Sequence, residues 1–110
     1  MAQTRFSGPV RSDNGFIAGS GVAITKVLSA TASLDFGSIS AVSQASLTIT
    51  VTGAAVGDEV VMALPAAPAA GIVFNAFVSA ANTVTIRASN ITASPVDPAA
   101  ANYGVIVIAA

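Results

Sequence analysis

Ser46-Leu47-Thr48-Ile49-Thr50-Val51-Thr52 alternates hydroxyl and aliphatic side chains without a break. Successive side chains of an extended chain point to opposite faces, so the stretch predicts a β-strand with one buried face and one row of hydroxyls. Upstream, Leu28, Ala30, Ala32, Leu34 and Phe36 alternate with Ser29, Thr31, Ser33 and Asp35, which predicts one half-buried strand or two joined by a bend. Downstream, Gly53 to Glu59 reads as a turn, and Val60 to Leu64 as a strand buried on both sides because its apolar run is continuous. Pro65 to Gly71 is an Ala/Pro loop. Ile72 to Val78 and Val84 to Arg87 are further strands joined by an Ala-Asn turn, and Asn90 to Ala101, with Pro95 and Pro98, is a long connection. Pro98-Ala99-Ala100-Ala101-Asn102 could start a single helical turn. Tyr103 to Ile108 closes the chain as a hydrophobic strand.

Composition agrees with this periodicity. Val and Ile together number 23 against 4 Leu, and β-branched side chains favour pleated sheets over helices. Seven or eight short strands with no helix of useful length predict an all-β fold, either a jelly roll or another Greek-key β-sandwich. At 110 residues the chain makes one domain. Residues 22–110 form that β-sandwich domain in this reading.

Residues 1–21 differ from the rest. They hold Arg5, Arg11, Asp13, Pro9 and four of the nine Gly, and read as an extended N-terminal arm. Phe6 and Phe16 flank the turn-like Ser12-Asp13-Asn14-Gly15. Two readings are open: a frayed terminus with incidental aromatics, or an anchor in which the two Phe rings bury area on a partner while Arg5 and Arg11 pair with its carboxylates.

The chemistry-bearing side chains are scarce. The chain has no His, Cys or Trp, which removes the usual general base, disulfides and thiolate metal sites, and predicts a protein that is not an enzyme and needs no metal or other cofactor. Asp58 and Glu59 are strand neighbours and point apart, so they read as a solvated turn. Asn90-Ile91-Thr92 has the form of a glycosylation acceptor but reads as a strand end. Gly15, Gly19 and Gly21 lack the flanking strand and Lys-Ser/Thr of a phosphate loop. Arg87 is either an exposed pleat position or half of an intersubunit salt bridge.

Net charge is −1, so neither nucleic acid nor an anionic membrane is an expected partner. The uncharged run from Val60 to Ile86 is broken by Pro65, Pro68, Gly71 and Asn75 and predicts no spanning helix. The N-terminal residues have no apolar core of a signal peptide, which predicts synthesis and use in the cytoplasm. Charged residues are only 8% of the chain, far below the roughly 25% of soluble domains, so the surface is expected to be covered by copies of itself or by a partner.

Two segments resemble known proteins. Thr4-Arg5-Phe6-Ser7-Gly8-Pro9-Val10 with Asn14-Gly15-Phe16 resembles the N-terminal arms of tailed-bacteriophage head proteins. Thr83 to Ala93, Val96-Asp97-Pro98 and Tyr103 to Ile108 resemble a small β-domain that recurs in phage virion structural proteins, including head fibres and tail proteins. The resemblance implies a head decoration, or capsid cement, protein: a jelly-roll-like subunit, trimeric, that sits on the virion surface after assembly in the host cytoplasm. Its implied partners are the major capsid protein and further copies of itself, with Arg5, Phe6, Arg11 and Phe16 as the capsid-binding arm. The alternative is a domain of a phage head fibre or tail protein with receptor or carbohydrate binding.

Overall fold

The computed structural model describes residues 3–110 and is all-β among them. Eight strands follow in order: β1 (Phe16–Ile17), β2 (Ala23–Ile24), β3 (Lys26–Leu34), β4 (Gln44–Thr50), β5 (Glu59–Ala63), β6 (Ile72–Ala80), β7 (Thr83–Asn90) and β8 (Ala101–Ala109). β1 and β2 form a small hairpin. The other six make two antiparallel three-stranded sheets, ordered β3-β8-β5 and β4-β7-β6. Only the β6–β7 link stays within a sheet; every other connection among the six crosses to the opposite one. The two sheets form a sandwich.

Alternation explains why they pack. The opening stretch enters β4 with Leu47 and Ile49 turned inward and Ser46, Thr48 and Thr50 exposed. Val84 and Ile86 of β7 and Tyr103, Val105 and Val107 of β8 meet across the interior with Leu34, Ile49 and Val78. Ile86, Val84 and Val107 are completely buried, each contributing about 1.5–3 kcal/mol relative to an exposed side chain. Phe36, Phe74 and Tyr103 stack as a three-ring cluster, with centroids 5.6–6.0 Å apart in edge-on or tilted arrangements.

Several segments differ from their sequence reading. Residues 28–34 lie in one unbent strand, and Phe36 falls after its end. Val60 to Leu64 is not buried on both sides: β5 is an edge strand whose Val60 and Met62 face the core while Val61 is 56% exposed. A continuous apolar run here reflects an apolar outer face, not a central position. Residues 98–102 form no helical turn, because Ala101 and Asn102 already pair with β3 through Leu34 and Ser33. The long connection is pinned midway, where Ile39 and Val96 exchange backbone hydrogen bonds of 2.8 and 3.0 Å.

The two ends of the sandwich are tied differently. At one end Lys26 reaches the Asp58 carboxylate at 3.1 Å and the Gly53 carbonyl at 2.6 Å. Asn82, in the left-handed region at φ 62°, sits in the β6–β7 turn and accepts the Gly53 N–H at 2.8 Å. At the other end Asn90 is the hub. Its Nδ2 donates to the carbonyls of Ile39, Ser40 and Ser94 at 3.0, 3.3 and 2.8 Å, and its Oδ1 accepts from the Thr92 N–H and hydroxyl at 2.9 and 2.7 Å. Asn90 of the glycosylation-like triplet is therefore a buried structural lock, only 2% exposed.

Candidate functional site

Residues 3–14 carry no strand and are exposed throughout. Their projection shows in the dimensions, 57 × 28 × 24 Å, and in a radius of gyration of 17.5 Å against about 13 Å for a compact chain of this length. The boundary expected at residue 21 falls in the loop of the β1–β2 hairpin, whose register pairs Phe16 with Ile24 and Ile17 with Ala23. The hairpin joins the sandwich through the Thr25 N–H, which donates to the Ala109 carbonyl at 2.8 Å.

The turn expected at Ser12 to Gly15 is present, closed by the Gly15 N–H on the Ser12 carbonyl at 3.4 Å. Gly15 is required there. It sits at φ +94°, and a Cβ would strike the Ile24 carbonyl oxygen. This turn brings the arm back past the hairpin, so Phe6, Val10 and Phe16 line one groove of about 490 Å³ together with Ile24, Thr25 and Val27. Phe6 and Phe16 remain 69% and 64% exposed, and thus present their rings outward.

The two arginines are placed otherwise. Neither Arg5 nor Arg11 lines the groove. Arg11 Nε pairs with Asp13 Oδ1 at 2.7 Å, both side chains being largely in solvent. Such a pair adds little to stability, and its cation can change partner readily. Sequence reasoning missed Val10, Ile24 and Val27 as groove residues. The signal for Val27 was available in β3, where it occupies the outward series with Ser29, Thr31 and Ser33.

The outer face of β4-β7-β6 is mainly polar, with Ser46, Thr48 and Thr50 beside Thr83, Thr85 and Arg87, and Val73, Asn75 and Phe77 of β6 along its edge. Arg87 lies 5.1 Å from the Phe77 ring centroid and directs Nε to Ser46 Oγ at 3.5 Å, so its charge is held within its own sheet. The outer face of β3-β8-β5 is mixed: Val27, Ile108, Ile106 and Val61 form an exposed or half-exposed apolar group beside Ser29, Thr31, Ser33, Asn102 and Glu59.

Two groups have shifted ionisation. The Ala55 N–H, and after it the Lys26 ammonium, hold the Asp58 carboxyl below its ordinary value. Burial pushes the Tyr103 hydroxyl up. Among the described residues no three His, Cys, Asp or Glu side chains cluster as metal ligands would. The molecule's chemistry is that of surfaces: an aromatic arm with a groove, one mainly polar face and one face with an exposed apolar group. Comparison with protein-family models, with curated proteins and with solved structures finds no match to this chain.

Proposed function

We propose that this protein is a structural component of a tailed-bacteriophage virion, without catalytic activity, that binds the outside of the capsid and stabilises the shell by bridging neighbouring capsid subunits. The observation that carries the reading is the arm. Phe6 and Phe16 are large apolar side chains left in solvent beside an open groove, on a segment that projects from a rigid sandwich. Aromatic area of this kind is stabilising only when a partner covers it. The resemblance of Thr4–Val10 with Asn14–Phe16, and of Thr83–Ala93, Val96–Pro98 and Tyr103–Ile108, to phage head and virion proteins supports the major capsid protein as that partner. The crossing order of strands supports a jelly-roll winding for the body.

In this reading Phe6 and Phe16 seat on the shell, while Arg5 and Arg11 pair with capsid carboxylates, Arg11 exchanging Asp13 for them. Binding only to the assembled lattice stabilises that lattice by mass action. Arm and body engage together, so avidity builds from weak contacts. The fibre or receptor-binding alternative is less well supported. Tyr103, the aromatic best suited to a sugar site, is 1% exposed, and the Phe77 ring is already engaged by Arg87.

Pelleting with purified capsids tests the proposal. The full chain is expected to co-sediment, and a chain lacking residues 1–21 is expected to stay folded by circular dichroism and remain in the supernatant. Retained capsid binding by the folded truncation overturns the assignment to the arm.

A further inference from the structure

The outer face of β3-β8-β5 carries an apolar projection and a hollow side by side. Strand pairing arranges the outward residues in rows across the sheet: Val27, Ile108 and Glu59; then Ser29, Ile106 and Val61; then Thr31, Gly104 and Ala63; then the polar pair Ser33 and Asn102. In the middle of the face a projecting row, Ile106 with Val61, therefore borders a recessed row, Gly104 with Ala63. Ile106 and Val61 are 42% and 56% exposed. The recess is a hollow of about 240 Å³ lined by Thr31, Val61, Ala63, Gly104 and Ile106.

We propose that this face pairs with the same face of a second copy about a two-fold axis lying in the interface, across the strands at the level of Val105. That operation turns β8 antiparallel to its counterpart. Ile106 of each copy then enters the recess over the other's Gly104, and Val61 of each lies over the other's Ala63. Large meets small twice on each side, the self-complementarity that an isologous contact demands. Charge is compatible as well. Glu59 is the one ionisable side chain in these rows, and the axis carries the two Glu59 residues to opposite ends of the contact.

The size of the face sets the strength. Two strands of nine residues and one of five, about 4.8 Å apart with about 3.3 Å per residue, cover roughly 360 Å² per copy. A stable complex buries about 800 Å² per partner, so the pair is weak in dilute solution and fills where copies crowd on a common surface. This pair stands in place of the trimer that the family resemblance implies, and it deepens the proposed function by naming a second copy as what covers the apolar face.

Sedimentation of the full chain from about 10 μM to about 1 mM tests it. The mass is expected to rise from one chain toward two. Gly104→Ile alone and Ile106→Gly alone are expected to stay single, and the two changes together to restore pairing, because knob and recess have exchanged places. A Cβ at Gly104 meets Ala63 and Thr31 at ordinary distances of 3.5 and 3.6 Å, so the backbone has room for a side chain to start there, and circular dichroism checks that each variant is folded. Ile106→Thr, a change that suits an exposed strand, is expected to lower the two-chain fraction at least tenfold in association constant. A wild-type chain that stays single throughout, a three-chain end state, or undiminished pairing by folded Ile106→Thr overturns the proposal. So does failure of the folded double variant to recover. Capsid pelleting separates the readings: a chain that pairs but ignores capsids sinks the shell assignment alone, and one that binds capsids without pairing sinks the pair alone.

Discussion

The two sheets bury nearly the same kind of inner face and show solvent quite different outer ones. On β4-β7-β6 the outward positions of β4 and β7 are Ser46, Thr48, Thr50, Thr83, Thr85 and Arg87, and those of β6 are Val73, Asn75 and Phe77, so that face is mainly polar. On β3-β8-β5 they include Val27, Val61, Ile106 and Ile108, which gain nothing from water. An antiparallel sheet commonly packs one face and wets the other. One sheet of this sandwich follows that arrangement more closely, and the other departs from it at Val27, Val61 and Ile106. The arm groove adjoins the apolar sheet through Val27, not the polar one.

The comparison can be broken at the inner faces first, where both sheets should respond strongly. Ile86→Ala on the polar sheet is expected to cost about 2–5 kcal/mol in denaturant unfolding, because a completely buried side chain leaves a cavity. A cost under 1 kcal/mol would mean that the sandwich is loosely packed. Asn90→Ala comes next, expected at about 1–3 kcal/mol, since it removes a buried amide that ties residues 39, 40 and 94 together and leaves the Thr92 N–H without its acceptor. If unfolding is unchanged, the lock at that end of the polar sheet is not structural. Val42 occupies the left-handed region at φ 54°, where a β-branched side chain is strained. Val42→Asn is expected to raise stability by about 1 kcal/mol, and a loss would contradict the strained turn.

The apolar sheet is tied at its own end by a titrating group. The Asp58 carboxyl is held below its ordinary value, so the stability it contributes is present above about pH 4 and is lost as pH falls through the lowered value. Asp58→Asn is expected to flatten the acid limb of a stability-against-pH curve, and an identical limb in the variant would remove the tie from the account. The smallest effects are expected at the outer faces. Thr48→Val and Val61→Thr should each move unfolding by no more than about 0.5 kcal/mol, while Val61→Thr alone weakens self-association. Equal effects of the two on association would erase the distinction between the faces.

Much of the fold was legible along the chain. Alternation at 28–34 and 46–50 gave strand type and inner face, because burial of one side of a sheet imposes a period of two on local sequence. Val60 to Leu64 misled because a run without alternation has the same appearance whether its second face meets another layer or stands unpartnered. Phe6 and Phe16 were legible as candidate anchors by type, being aromatics among flexible polar residues. Their shared groove with Ile24 and Val27 was not, since it depends on the chain reversal at Ser12–Gly15 and on the β1–β2 register. Asn90 was legible only as a strand end, because its acceptors come from residues 39, 40 and 94.

The sequence by itself determined that the chain is all-β, that its strands have sided faces, and that residues 1–21 differ in composition from the rest. Those are consequences of side-chain shape and short-range periodicity, which act between neighbours. Which strands sit at edges, which apolar positions stay outside, and that Ile106 rises beside the hollow of Gly104 were decided only by tertiary structure. Strand order and register join residues far apart in the chain, and no local pattern carries that information.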